Sequence, residues 1–219
     1  MWLLASHLRP ARCLETLRSV AECQTPGILL TNGASTGYED LPLPNDQWKH
    51  VHLDVEKLGA VGATRWLFEQ YPNEPWYGGF CDDELVWTPG WDKILIEAAG
   101  RDRLAQGFNP DNKGTWPLHN FLCWGGDLVR AVGWWGPPKL WHWYFDATWK
   151  TLAQNTGRLI TCKDVVTSTR HYVQEPELYD ETYRLGESRK DEDQQIFLHW
   201  LRTQHPADRK RVENLTKGA

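Results

Sequence analysis

Asp82, Asp83 and Glu84 stand side by side, with no basic residue inside the run. They follow residues 76–80, a short apolar stretch that is typical of a buried strand. Three adjacent carboxylates repel one another, and a divalent cation with oxygen ligands is the simplest counter-charge. A solvated acidic turn would need no cation, so the triplet alone leaves both interpretations open.

The segments around this triplet alternate between apolar runs and amphipathic stretches. Strands are predicted at residues 2–5, 27–31, 49–53 and 76–80, and helices at residues 11–23 and 59–71. This alternation favours an α/β fold with a mainly parallel central sheet flanked by helices. Ligands bind beyond the carboxyl ends of the strands in such sheets. We therefore expect the loops after the first, second and fourth strands to face one crevice.

The rest of the chain adds two further acids and a late histidine in predicted elements. The elements are a helix at 92–99, a strand at 104–109, an apolar run at 117–124 with His119 and Asn120, helices at 127–133 and 146–156, strands at 159–160 and 165–166, and one amphipathic helix in the polar tail. Asp127 is well placed to cap its helix, and Asp146 begins the next one. His171 follows the late strands.

The composition limits the class of protein. A net charge of −5 argues against affinity that comes from general phosphate neutralisation. Five widely spaced cysteines without a CxxC pair indicate free thiols, a reducing compartment and no zinc site. The apolar start of the chain is too short for a signal peptide or a membrane span, so we expect a cytoplasmic protein without a membrane partner. The 14 tryptophans indicate stacking surfaces as well as core.

Together these motifs resemble the GT-A class of nucleotide-sugar glycosyltransferases, and more narrowly its small single-domain members from bacteriophages and bacteria. The resemblance spans residues 1–175. Its motifs are Ser-x-x-Arg-Pro from Ser6, the acidic triplet, Thr-Pro-Gly-Trp-Asp from Thr88, Gly-Gly-Asp from Gly125, Tyr-Phe-Asp-x-x-Trp from Tyr144, and His171. We place a single GT-A domain at residues 1–186, with residues 187–219 as a C-terminal helix and polar tail packed on it. A phage-encoded member would work in the host cytoplasm.

The resemblance implies roles for the acids and the histidine. Asp82 matches the acid that contacts the nucleotide, and Glu84 matches the ligand of Mn²⁺ or Mg²⁺. Because the family usually has Asp where Glu84 stands, Asp83 could be the ligand instead. His171 matches a histidine that completes the metal shell. Asp146 matches the base that takes the acceptor proton in inverting enzymes.

Further residues are candidates for donor binding or catalysis. The donor contacts are Ser6, Arg9, Asn32, Arg65, Asp82 and Asp83, and Asp127 is a second catalytic candidate. Asn32 stands where the family usually has an Asp that reads uracil or ribose, which leaves the base open. The fork of Arg9 could bind the nucleotide or a phosphate. Asp127 and Asp146 could instead be helix caps, and His171 could be an ordinary surface or core residue.

The predicted function is metal-dependent, inverting transfer of a sugar from a nucleotide donor, most simply UDP-linked, to an acceptor hydroxyl. The acceptor could be a hydroxymethylated pyrimidine in phage DNA, a saccharide or a protein, and the net charge weighs against DNA. One alternative is a nucleotidyltransferase, whose usual Gly-rich phosphate loop is missing at residues 6–10. Another is a non-catalytic carbohydrate- or nucleic-acid-binding module that uses the tryptophans.

Overall fold

The computed structural model describes residues 1–55, 58–112 and 121–217, and these form an eight-stranded sheet with helices on both faces. The strands are β1 (Trp2–His7), β2 (Gly27–Asn32), β3 (Trp48–Leu53), β4 (Trp76–Cys81), β5 (Glu84–Val86), β6 (Leu104–Phe108), β7 (Leu122–Gly125) and β8 (Leu159–Thr169). The helices are α1 (Pro10–Ser19), α2 (Gly59–Gln70), α3 (Trp91–Ala99), α4 (Gly126–Val132), α5 (Phe145–Asn155), α6 (Glu181–Glu187), α7 (Lys190–Thr203) and α8 (His205–Glu213).

The sheet is mixed but mainly parallel, as predicted. Its strand order is β3-β2-β1-β4-β7-β6-β8-β5. Strands β1, β2, β3, β4, β6 and β8 point one way, while β5 and β7 run antiparallel to their neighbours. The carboxyl ends of β1, β2 and β4 therefore meet at one edge of the sheet. Strand β7 delivers its own carboxyl end to the opposite edge.

The core lies on both faces of the sheet, which explains why its central strands are continuously apolar. Leu3 points into the layer formed with α2, α4 and α5. Its neighbours Trp2 and Leu4 point into the layer formed with α1 and α3. Six tryptophans of the described ranges are fully buried in these two layers or beside them: Trp2, Trp91, Trp124, Trp135, Trp149 and Trp200. Tryptophan therefore supplies much of the core.

Residues after 187 pack on the same layers. Trp200 of α7 lies 6.0 Å from the ring of Trp134, and its Nε1 donates to Asp208 at 2.9 Å. Val212 of α8 is buried in the core beside α4 and α5. All five cysteines are free. No helix in the described ranges is long and apolar enough to cross a membrane.

Several predicted elements differ from the structure. The triplet was expected in a loop, but Glu84 begins strand β5. The two late strands are one long strand, β8, and the tail contains α7 and α8 instead of one helix. Asp127 is not the N-cap of α4, which begins one residue earlier. The predictions for His119 and Asn120 lie outside the described residues.

Candidate active site

A cleft of about 460 Å³ opens at the carboxyl ends of β1, β2 and β4. It collects most of the predicted site residues. Those that line it are Ser6, Arg9, Asn32, Asp82, Asp83, Glu84, Asp146 and His171. Parallel strands bring the first six together, as expected for an open α/β sheet. Arg65 and Asp127 are not among the lining residues.

Asp127 lies at the opposite edge because β7 is antiparallel to β4. Gly125 pairs with Trp76, at the amino end of β4. There Asp127 accepts bonds from Arg101 at 2.8 Å and from Arg130 at 2.7 Å. These bonds, with Arg101 the stronger influence, lower the pKa of Asp127 below its ordinary value.

Arg65 lies on the exposed side of α2. The residues just before it, Ala63 and Thr64, line the cleft instead. The predicted donor contact of Arg65 therefore has no support from the lining of this cleft.

Asp82 sits at the bottom of the cleft, 4% exposed. Ser6 Oγ donates to its Oδ2 at 2.6 Å, and Arg9 Nη1 donates to its Oδ1 at 3.2 Å. Burial nevertheless raises the pKa of Asp82 to about 6, against the opposing effect of Arg9. The hydroxyl of Tyr38 lies 2.7 Å from Ser6 Oγ and accepts the backbone N–H of Arg9 at 2.7 Å. Asp82 is thus a fixed, buried acceptor.

Asp83 lies in the turn between β4 and β5, with backbone and side chain both held. The backbone N–H of Arg170 donates to its carbonyl at 2.8 Å. The phenol of Tyr183, in α6, donates to its Oδ2 at 2.8 Å. The first bond continues the pairing of Glu84 with Thr169 at the end of β8. This pairing carries residues near 170 to the triplet.

Glu84 is the carboxyl group most strongly affected by its surroundings in the cleft. Burial, then the charge of Asp83, and to a smaller extent that of Asp146, raise its pKa to about 8. The backbone N–H of Cys81 donates to Glu84 Oε2 at 2.9 Å and opposes that shift. The triplet therefore holds more negative charge than its protein partners neutralise, which is the condition expected of a cation site.

Asp146 lies in the first turn of α5, on another wall of the cleft. Burial raises the pKa of Asp146, and its Oδ1 accepts the N–H of Ala147 at 2.8 Å. The loop before it is anchored by Asp193, 1% exposed, whose carboxylate accepts the N–H groups of residues 141, 142 and 143 at 2.9 Å each. Gly59 lets α2 approach this loop, since a Cβ there would lie 2.3 Å from the carbonyl oxygen of residue 141.

His171 lies beside the triplet among tyrosines. Its ring centroid is 4.4 Å from that of Tyr172 and 4.8 Å from that of Tyr183. Burial lowers the pKa of His171, and the charge of Asp83 acts in the opposite direction. A neutral imidazole near a carboxylate can ligate a metal ion.

Arg9 and Asn32 line the part of the cleft that lies at the carboxyl ends of β1 and β2. Arg9 donates to both oxygens of Asp180, from Nε at 2.7 Å and from Nη2 at 2.6 Å. Asn32 is 6% exposed, and its Oδ1 has no hydrogen-bond partner among the described residues. A buried acceptor left open in a cleft suggests a site for a ligand N–H or O–H group.

Sequence reasoning missed Tyr38, Asp180 and Tyr183. Asp180 accepts the N–H of Tyr183 at 3.1 Å, so an N-cap pattern could have revealed the start of α6. No local signal connects α6 to a strand end so far away in sequence. Its contact with the triplet is a product of the tertiary fold.

The donor set suits a divalent cation shared with a ligand. No three His, Cys, Asp or Glu side chains within the described ranges form a group that could hold a metal ion by themselves. Mg²⁺, which prefers oxygen ligands, is usually bound by one or two carboxylates together with substrate phosphates and water. Asp83, Glu84 and His171 fit that arrangement, because they line one cleft whose negative charge is incompletely neutralised.

Several solved structures have a similar fold. Mannosyltransferase PcManGT of Pyrobaculum calidifontis, in complex with GDP-Man and Mn²⁺, superposes with a TM-score of 0.58 at 11% identity over 100% of this chain and 75% of its own. GalNAc-T7, with UDP, GalNAc and Mn²⁺, gives 0.59 at 12% identity over 78% of this chain and 42% of its own. A candidate glucose-1-phosphate thymidylyltransferase of Bacillus anthracis gives 0.51 at 7% identity over 80% and 92%.

No family model matches the sequence, and no curated protein matches it. The likeness to solved structures nevertheless identifies the fold. The chain has the GT-A fold of nucleotide-sugar glycosyltransferases, in a single α/β domain. At these identities the likeness establishes the fold, and the activity has to be argued from the residues of the cleft.

Proposed function

We propose that this chain is a metal-dependent glycosyltransferase that moves a sugar from a nucleoside-diphosphate donor to an acceptor hydroxyl. One observation carries the proposal: a single cleft has the acidic triplet at the end of β4 and Asp146 at the start of α5. The charge of Asp146 contributes to the raised pKa of Glu84, so the two groups are electrostatically close. Glycosyl transfer needs this pairing of a site for a departing diphosphate with a base for the acceptor.

Asp83 and His171 are the side chains that we propose to hold the cation. They interact electrostatically with each other, whereas Oε2 of Glu84 already accepts the backbone N–H of Cys81. A divalent cation there would neutralise the charge that develops on the departing diphosphate. Mn²⁺ is the first choice and Mg²⁺ the second, because the mannosyltransferase and GalNAc-T7 structures contain Mn²⁺.

Asp146 is the proposed base. The acceptor oxygen bonds to the anomeric carbon as the bond from that carbon to the diphosphate oxygen breaks, and the acceptor proton passes to the carboxylate of Asp146. Burial raises the pKa of Asp146, which improves a carboxylate as a base. Direct displacement of this kind inverts the configuration at the anomeric carbon.

The nucleotide is proposed to lie over β1 and β2. The unpartnered Oδ1 of Asn32 would accept a hydrogen bond from a base N–H or a ribose hydroxyl. Asp82 and Ser6 form the floor beside it. UDP and GDP are the donor nucleotides to test first, since GalNAc-T7 carries UDP and the mannosyltransferase carries GDP-Man.

The acceptor would enter beside Asp146, where Trp143 and Tyr144 line the cleft. Aromatic rings stack on sugars and on bases alike. A hydroxymethylated pyrimidine in phage DNA therefore stays a candidate acceptor beside a saccharide or a protein. The net charge of −5 favours an acceptor other than DNA.

Nucleotidyl transfer is the second candidate, because the Bacillus anthracis structure has a similar fold. The loop after β1, residues 8–9, contains no glycine with which to cradle a triphosphate. We therefore rank this function below glycosyl transfer.

The deciding experiment incubates the full chain with UDP- and GDP-sugars in Mn²⁺, in Mg²⁺ and in EDTA. Slow metal-dependent release of UDP or GDP is expected, together with transfer to one member of an acceptor panel that includes hydroxymethylcytosine DNA, saccharides and proteins. Asp83→Ala should abolish both. Pyrophosphate release from a nucleoside triphosphate and a sugar 1-phosphate would instead identify a nucleotidyltransferase.

A further inference from the structure

The side chain of Tyr183 contacts three residues of the donor half of the cleft. Its hydroxyl donates to Asp83 Oδ2 at 2.8 Å. The guanidinium carbon of Arg9 lies 4.0 Å from the centre of its ring, and the ring packs edge-on at 4.8 Å from that of His171. One side chain of α6 therefore links the predicted nucleotide contact, the acidic turn and the candidate metal-binding histidine.

The phenol is a permanent hydrogen-bond donor to the carboxylate. A tyrosine hydroxyl with an ordinary pKa near 10 keeps its proton at neutral pH, whereas a carboxylate can only accept. A second acceptor, the carbonyl of Arg170, is 3.4 Å away. The shorter bond to a charged oxygen is the stronger of the two, so the proton points to Asp83.

The hydrogen bond from Tyr183 restricts the last side-chain torsion of Asp83, which the backbone contacts of Asp83 do not restrict. Rotation about the last bond of an aspartate has broad minima, and the backbone bond from Arg170 at 2.8 Å fixes Asp83 only up to its Cα. The phenol holds Oδ2 and thereby sets the plane of the carboxylate. The orientation of Oδ1 is thereby defined as well.

Asp180 fixes the position of Tyr183 in turn. Its carboxylate caps α6 through the N–H of Tyr183 at 3.1 Å and grips Arg9 with two bonds, at 2.7 Å and 2.6 Å. Arg9 also contacts Asp82 at 3.2 Å. The start of α6 is thus fixed to the floor of the cleft at a partly buried ion pair.

We propose that Tyr183 is a positioning residue whose hydroxyl orients the Asp83 carboxylate for a divalent cation and the diphosphate bound with it. This inference rests on the proposed function, because it needs a cation and a nucleotide in the cleft. It adds a role for α6, which lies outside the sequence motifs that suggested the site. Such supporting hydrogen bonds set the affinity of many metal sites.

Calorimetry on the full chain tests the proposal without an activity assay. UDP or GDP is titrated in Mn²⁺ and again in EDTA, for the wild type, Tyr183→Phe and Tyr179→Phe. The control Tyr179 is 45% exposed and donates to Glu187 at 3.0 Å, outside the cleft. Tyr183→Phe should weaken Mn²⁺-dependent binding about 10- to 100-fold and leave binding in EDTA unchanged. Tyr179→Phe should match the wild type in both titrations.

A background variant distinguishes orientation of Asp83 from a general structural effect. With Asp83 already changed to Ala, Tyr183→Phe should leave the remaining nucleotide binding unchanged in Mn²⁺ and in EDTA, whereas a general structural effect would weaken that remaining binding. Equal Mn²⁺-dependent binding by wild type and Tyr183→Phe, or an equal loss in EDTA, would overturn the proposal. If the wild type binds neither nucleotide in either titration, the proposed function fails and the inference with it.

Discussion

Acidic side chains occur at both edges of the sheet, but their pKa values are shifted in opposite directions at the two edges. At the carboxyl ends of β1, β2 and β4, burial raises the pKa of Asp82 to about 6 and that of Glu84 to about 8, and it also raises the pKa of Asp146. At the other edge, bonds from Arg101 and Arg130 lower the pKa of Asp127. The cleft acids are incompletely neutralised although Arg9 pairs with Asp82, whereas Asp127 pairs with two arginines.

The difference shows how function and stability separate in this fold. Arg130 bonds Asp127 and also donates to the carbonyls of Pro72 and Glu74, so the acid holds together the connection into β4. In the cleft, by contrast, the charge of Asp83 raises the pKa of both Asp82 and Glu84. A buried group kept at a cost to stability is a candidate for ligand binding or catalysis.

The largest expected effect comes from removing the proposed base. Asp146→Asn should lower the turnover number about 10²- to 10⁴-fold, since an amide cannot take the acceptor proton. Affinity for the nucleoside diphosphate with Mn²⁺ should stay unchanged, which calorimetry measures. The matched control, Asp127→Asn, should keep wild-type turnover. Similar turnover losses in the two variants would break the distinction between the edges.

A smaller effect concerns stability and pH. Glu84 has an ordinary pKa of 4.5, and the pKa in the folded chain is about 8. Between these values the folded chain holds a proton that the unfolded chain has released, so the free energy of unfolding falls as the pH rises from 4.5 to 8. Glu84→Gln removes that fall. In EDTA at pH 8 the variant should be more stable by up to about 4 kcal/mol, at about 1.4 kcal/mol per pKa unit, and at pH 4.5 it should equal the wild type.

Urea unfolding monitored by tryptophan fluorescence at both pH values measures this difference. Glu97→Gln, on the exposed side of α3, is the control and should follow the wild-type pH curve. Equal stability of Glu84→Gln and wild type at pH 8 would mean that the triplet carries no uncompensated charge. The cleft would then resemble the Asp127 edge.

The sequence predicts the first half of the sheet well because its strands are apolar and its helices are amphipathic. Ser6, Asn32 and Asp82 reach one cleft for that reason. Asp127 was misplaced because strand direction is not visible in a local pattern: if β7 were parallel to β4, its carboxyl end would also reach the cleft. The short strand β5 was not predicted because it begins at Glu84, inside the acidic run, where no apolar pattern marks a strand.

The contribution of α6 could not be predicted either. Asp180 lies 171 residues from Arg9 in the sequence and Tyr183 lies 100 residues from Asp83, and no periodicity encodes contacts of such separation. His171 was predicted only through the resemblance. The structure shows the physical reason for its position, which is the pairing of β5 with the end of β8. Contacts of this kind form through tertiary pairing and leave no local pattern in the sequence.

The smallest expected effect is on the free energy of unfolding at pH 7. Its sign should differ between variants at the two edges, which makes it the most direct comparison of them. Asp127→Asn should lower the free energy of unfolding at pH 7 by about 0.5–1 kcal/mol, because two guanidinium groups lose a partly exposed partner. Since pairing lowers the pKa of Asp127 below 3.8, this contribution is present at neutral pH and is lost as acid protonates the carboxylate. Asp146→Asn should raise stability at pH 7, because burial disfavours the charge that it removes.

Urea unfolding of both variants at pH 7 and pH 3 measures the two changes, and the same sign for both at pH 7 would contradict the contrast. Opposite signs would mean that the Asp127 edge is built to hold its charge and that the cleft is built to present its charge to a ligand.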